Sequence, residues 1–140
     1  LGGIMCDGLL GLDVLEAVRK GAEIDQPILN KAYENLNTTL KMLKDLHKQI
    51  VHYDDLQVLS EYLPLVKAII SEFMVSEKND ILEKIEIAIT ALEQLVNGEW
   101  HEKNIQTVKR LLRALSRLSI QKADELLRTI TPTMKRYCQM

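Results

Sequence analysis

The chain has 140 residues, close to the size of one domain, and 46% of them are hydrophobic, enough for a continuous core. Its formal net charge of −2 excludes binding to polyanions through overall charge, so any electrostatic attraction must come from local clustering. Aromatic residues make up only 4%, which leaves Leu, Ile, Val, Ala and Met to build the core and points to an all-α fold.

The two cysteines, Cys6 and Cys138, stand at opposite ends of the chain and are too few for the disulfide framework of a small secreted domain. They read as free thiols of an intracellular protein, cytoplasmic or nuclear, with a Cys6–Cys138 bridge as the alternative if the termini meet. No run of about 18 apolar residues exists and no basic region opens the chain, so membrane spanning and secretion are both disfavoured. Opening on Leu1 rather than Met, the sequence reads as a fragment, a processed form or a tagged chain.

Five of the six glycines, Gly2, Gly3, Gly8, Gly11 and Gly21, fall within residues 1–21. That segment is expected to be flexible, loose up to Gly8, with a short helix from Leu9 to Lys20 that carries Leu9, Leu12, Leu15 and Val18 and stops at Gly21. Residues 22–140 are expected to form a single helical domain. Asp25 suits an N-cap and Pro27 a first turn, after which Leu29, Ala32, Leu36, Leu40, Leu43, Leu46 and Ile50 mark one long apolar stripe. Asp54 and Asp55 open a third helix with Leu56, Leu59, Leu63, Val66, Ile70 and Phe73 at strict 3-4 spacing. Pro64 lies inside that stripe and is expected to kink the helix without breaking it.

Ser76, followed by Glu77 and Asp80, starts a fourth helix with Ile81, Ile85, Ile89, Leu92 and Leu95, ended by Asn97-Gly98. Asn104 is expected to cap a fifth helix bearing Ile105, Val108, Leu112 and Leu115. Ser119 would cap a sixth with Ala123, Leu126, Leu127 and Ile130, and Thr131-Pro132 a last short one. No stretch alternates with period two, so no strand is expected. The fold class is therefore all-α, either a helical bundle or a short stack of helical hairpins, with five to seven helices.

Shifted by about 49 residues, the chain lays Glu34 on Glu83, Leu43 on Leu92, Leu46 on Leu95, His52 on His101, Gln57 on Gln106 and Leu63 on Leu112. An internal hairpin repeat is one reading, since the period is near that of two-helix solenoids. Chance matching of two Leu-rich hairpins is the other.

Groups that carry chemistry are scarce. His101-Glu102 lacks the second histidine of the zinc-protease helix, no glycine-rich loop ends in Gly-Lys-Ser/Thr, and paired Glu-x-x-His motifs are missing. His47, His52, Asp54 and Asp55 lie close in sequence at a helix junction, where solvated turn residues are a better reading than a metal site. No catalytic residue, cofactor or metal is therefore expected, and the chain reads as no enzyme. Trp100, the only tryptophan, reads as a plug at the end of the bundle, with an exposed anchor for a partner as the alternative.

Charge is distributed unevenly. Residues 1–100 hold 9 Lys and Arg against 17 Asp and Glu, a net −8, whereas residues 101–140 hold 9 against 3, a net +6. Arg110, Arg113 and Arg117 recur at i, i+3 and i+7, with Lys103 and Lys109 nearby, and together these five form the candidate partner-binding ridge. A functional ridge would stay exposed, and a structural one would be covered by the acidic half of the chain.

The stretch Leu111-Leu112-Arg113-Ala114-Leu115 through Ala123, Leu126-Leu127 and Tyr137 resembles the small helical docking modules of transcription elongation factors. It covers under a quarter of the chain, and many amphipathic hairpins share the pattern.

The sequence thus points to a non-enzymatic interaction module, an adaptor, regulatory or assembly subunit that meets another protein, or a second copy of itself, through helix faces. The alternative is a nucleic-acid-associated subunit using its basic carboxy-terminal helices.

Overall fold

A computed structural model of the protein describes residues 2–127. These residues form six helices and no strand: α1 (Gly2–Arg19), α2 (Gln26–His52), α3 (Leu56–Tyr62), α4 (Pro64–Phe73), α5 (Lys78–Val96) and α6 (Glu102–Leu127). The all-α expectation holds. Each long helix buries the stripe its sequence lays out: Ala32, Leu36, Leu43, Leu46 and Ile50 on α2, Ile81, Ile85, Leu92 and Leu95 on α5, and Ile105, Val108, Leu112 and Leu115 on α6. Asp25 sits at the N-cap of α2 with extended backbone, and proline enters in the first turn, where its missing N–H costs nothing.

Two glycines end helices as the sequence indicates. At Gly21 (φ +96°) the Ala22 N–H reaches the Ala17 carbonyl while the Gly21 N–H reaches Val18, both at 3.0 Å. The same double bond recurs at Gly98 (φ +84°), from Glu99 to Gln94 and from Gly98 to Leu95. Both are left-handed caps that side chains with a Cβ rarely adopt.

Four helices close on one another. α1 packs on α2 and α6, and α5 packs on the same two from the other side. Neighbours run antiparallel: Thr39 meets Ile4 where Gly11 meets Ala32, and Lys44 meets Glu93 where Lys78 reaches the Val51 carbonyl. Glu16 meets Lys109 where Arg19 covers Trp100. The architecture is therefore an up-and-down bundle and not a stack of hairpins, with α3 and α4 inserted between α2 and α5 and α4 lying along the outside of α6.

Four expectations are corrected. The segment up to Gly8 is not loose, because α1 begins at Gly2 and buries Met5, Leu12 and Leu15. Its glycines serve close packing. A Cβ on Gly8 would stand 2.5 Å from Thr39 Oγ1 and 3.3 Å from Leu112 Cδ1, and one on Gly11 would stand 2.9 Å from the Ala32 carbonyl oxygen. Thr39 fills the remaining space and donates to the carbonyls of Ile4 (3.2 Å) and Asn35 (3.0 Å), so its buried hydroxyl is satisfied.

Pro64 breaks the third helix. Leu63 is driven to φ −120°, ψ 91°, as a residue before proline is, and α4 starts afresh with Pro64 in its first turn. Of the stripe on α3 and α4, Val66 is fully buried and Leu56, Leu63, Ile70 and Phe73 pack on the core, so these residues are no free seam for self-association. The fifth and sixth helices are one, since α6 passes through Ser119, which has no Gly or Pro beside it to end the helix. The helix expected after Thr131-Pro132 lies outside the described residues.

Cys6 is disulfide-bonded and is not the free thiol expected. Cys138 lies outside the described residues. The 49-residue shift does place α2 on α5, but Leu63-Pro64, where the chain breaks, falls on Leu112-Arg113 inside the unbroken α6. α5 and α6 pack as a hairpin, whereas α4 leans mainly on α6, so the two halves are not packed alike.

Gly11→Ala tests the close approach. Alanine gains about 1 kcal/mol of helix propensity, but its methyl meets backbone that cannot rotate away, and overpacking of this kind costs about 1–3 kcal/mol. The clash wins, so a lowered denaturant midpoint is expected, and a raised one would show that α1 sits farther from α2.

Candidate functional site

Of the five basic residues in the expected ridge, two are turned to structural use. Lys109 is buried at 7% exposure, and its ammonium donates to Glu16 Oε2 at 2.6 Å. Lys20 approaches the other oxygen of Glu16 at 3.3 Å. The hydrogen bonds from Lys109 and then Lys20 hold the Glu16 carboxyl below its ordinary value. This pair ties the end of α1 to the middle of α6.

Arg110 ties α4 to the same helix. Its Nε donates to Glu72 Oε1 at 3.3 Å, its Nη2 donates to the Glu72 carbonyl at 3.1 Å, and its guanidinium lies 4.7 Å from the Phe73 ring centroid. Planar guanidinium suits this combination of fork and stacking where an ammonium would not.

Arg113, Arg117 and Lys103 remain exposed. Among the described residues none of the three makes an ion pair with a carboxylate; Arg117 Nε donates only to the Arg113 carbonyl, at 3.3 Å. Arg113 and Arg117 are four residues apart and share a face. Beside Arg117 a groove of about 330 Å³ runs between α4 and α6, lined by Pro64, Lys67, Ala68, Ser71, Glu72, Ala114 and Arg117. Lys67 is exposed and likewise makes no ion pair among the described residues. The groove therefore offers cations from two helices, a hydroxyl from Ser71 and an apolar floor of two alanines. That set suits a chain carrying carboxylates.

Sequence reasoning missed Lys67 and Ser71. They lie outside the basic segment and join Arg117 only because α4 packs on α6. The ridge could be read from spacing, but its division into two paired and three unpaired cations depends on where Glu16 and Glu72 stand.

Trp100 takes the plug role. It is half-buried against the core, donates from Nε1 to Glu102 Oε2 at 2.6 Å and carries the Arg19 guanidinium 5.3 Å from its ring centroid. The hydrogen bonds from Trp100 and then Gln106 lower the Glu102 pKa. The histidine-aspartate cluster is dispersed: His47 turns to Glu86 at 3.0 Å, and Asp55 Oδ1 accepts from the Gln57 (2.9 Å) and Val58 (3.3 Å) N–H groups as the cap of α3. Among the described residues no three His, Cys, Asp or Glu side chains stand together as a metal site, and no helix is long and apolar enough to cross a membrane.

No family model, curated protein or solved structure matches the chain.

The clamp between Glu16 and Lys109 makes a pH-dependent prediction. A carboxyl with a depressed pKa in the folded state stabilises the fold above its unfolded value, ordinarily 4.5, and that contribution is lost as pH falls through the lower folded value. Glu16→Gln should therefore be less stable than the parent at pH 7, and the gap should close under acid. Lys109→Met should cost about 1–2 kcal/mol at pH 7, less than the about 3–5 kcal/mol of a fully buried pair, because Glu16 keeps Lys20 and partial exposure. Denaturation midpoints across pH check both, and a gap that widens in acid would refute the sign.

Proposed function

We propose that the protein is a non-enzymatic interaction module whose α4–α6 edge receives an acidic segment of another protein. One observation carries this reading. The chain has an excess of carboxylates, yet Lys67 and Arg117 line a groove and Arg113 stands exposed one turn before Arg117, none of the three in an ion pair among the described residues, while Lys109 is paired with Glu16 and Arg110 with the groove's own Glu72. Uncompensated cations on two packed helices favour an anionic partner over a solvated face.

A protein partner fits better than nucleic acid. Nucleic acid is held chiefly through many phosphate contacts, whereas among the described residues the cluster offers three unpaired cations, and the chain as a whole is negative.

Fluorescence anisotropy with a labelled Glu-rich peptide and, separately, a duplex DNA of similar length tests the proposal. The peptide should bind, and Arg113→Glu with Arg117→Glu should weaken it at least tenfold with little change in stability, since exposed ion pairs are worth only about 0.2–1 kcal/mol. Lys109→Met should show the reverse, lowered stability with peptide binding retained. Tighter, steeply salt-dependent binding to the duplex would replace this reading with the nucleic-acid one. Equal peptide binding by parent and double variant would remove it.

A further inference from the structure

Among the residues lining the α4–α6 groove one is a carboxylate, Glu72, and helical register sets its place relative to the cations. Glu72 holds Arg110, while Ala114 and Arg117 share the groove with Pro64, Lys67 and Ser71. α4 ends at Phe73, so these α6 residues face the earlier part of α4 and the two helices run antiparallel. With a rise of about 1.5 Å per residue, Lys67 lies about 7.5 Å before Glu72 on α4, and Arg117 about 10.5 Å past Arg110 on α6. Both cations therefore stand to one side of the Glu72–Arg110 pair. The groove has a cationic end and a compensated end.

The Glu72 carboxylate adds little to holding the helices together. Arg110 Nη2 donates to the Glu72 carbonyl at 3.1 Å, and its guanidinium lies 4.7 Å from the Phe73 ring centroid, contacts that do not need the side-chain charge. The ion pair itself, Nε to Oε1 at 3.3 Å, joins side chains 53% and 26% exposed, where such pairs are weak. Its larger effect is on charge. The Lys84 ammonium of α5 stands 5.6 Å from the same Phe73 ring, so without the carboxylate this end would carry two cations.

We infer that Glu72 is an internal competitor that sets the charge pattern of the ligand: it occupies Arg110, so the groove takes a segment whose carboxylates gather at the Lys67–Arg117 end and turns away one with an acid at the Glu72 end. This inference rests on the reading of the edge as a receptor for acidic segments, and it adds which of them are selected. Selection among similar ligands needs a repulsive group as well as attractive ones, and a carboxylate on the wall of a cationic groove is such a group. A ligand acid arriving at Arg110 must displace Glu72 or sit beside it, whereas Lys67 and Arg117 are in no ion pair among the described residues.

Fluorescence anisotropy on the full chain tests this with labelled peptides of equal length, one Glu throughout and one with Glu in one half and Ser in the other, made in both orders. Glu72→Gln keeps an oxygen to accept from Arg110 and removes the charge, so circular dichroism and melting should match the parent. It should tighten the uniform peptide about fivefold, and the better-bound half-acidic peptide by less than about twofold. Glu23→Gln, which removes an equal charge from the loop between α1 and α2, should bind both like the parent. A markedly destabilised Glu72→Gln would make the carboxylate a structural tie and overturn the inference. So would a uniform peptide that binds no tighter, or a gain matched by the half-acidic peptide or by Glu23→Gln. Each of these outcomes leaves the acidic-segment reading standing. Equal binding by the parent and Arg113→Glu with Arg117→Glu removes that reading, and this inference with it.

Discussion

At Gly11 the backbone of α1 comes so near α2 that an added methyl would lie 2.9 Å from the Ala32 carbonyl oxygen, and at Gly8 it is wedged between Thr39 and Leu112. This close approach turns three antiparallel helices into a closed four-helix bundle. Glycine inside a helix costs about 1 kcal/mol relative to alanine, whereas each large side chain that α1 buries contributes about 1.5–3 kcal/mol, and α1 buries Met5, Leu12 and Leu15. Burial wins, and a glycine-rich segment becomes a wall of the core. Larger residues at these positions would hold α1 away and expose the faces of α2 and α6 beneath it.

Seating α1 also decides the electrostatics. It carries Glu16 to the one place where it can meet Lys109, and α4, restarted by Pro64, carries Glu72 to Arg110. The basic helix is thereby divided by depth. Residues at its contacts with α1 and α4 act as ties between helices, and those one or two turns further along, Arg113 and Arg117, are left facing solvent, Arg117 across a groove from Lys67. A single run of basic sequence thus holds two kinds of residue, stabilising and available. The same placement gives α1 two unlike faces, one packed through glycine and one exposing Leu10 and Val18.

Much of this was legible beforehand where local chemistry is strong. The stripes of α2 and α5, the first-turn Pro27 and the caps at Gly21 and Gly98 follow from spacing, fixed φ and the ease of positive φ, all properties of residues near one another in the chain. Failures occurred where the same residue serves two ends. Gly8 and Gly11 read as looseness because flexibility and close packing both call for a missing Cβ, and only the neighbour across the gap distinguishes them. Pro64 read as a kink because an apolar stripe ran on past it, yet the stripe survives a break as long as both pieces face the core. Ser119 read as a cap because serine caps helices, but a cap also needs a helix that stops.

By itself the sequence determined that the chain is helical, which faces of its long helices are apolar, and that its basic charge gathers at one end; periodicity and composition are local, and they survive any arrangement of the helices. Only the tertiary structure decided that α1 belongs to the core, that α3 and α4 stand outside the ring, and that Lys109 and Arg110 are paired while Arg113 faces solvent and Arg117 and Lys67 border an open groove. The physical reason is distance along the chain. Glu16 and Lys109 are 93 residues apart and meet at 2.6 Å, and no pattern within either segment records the other.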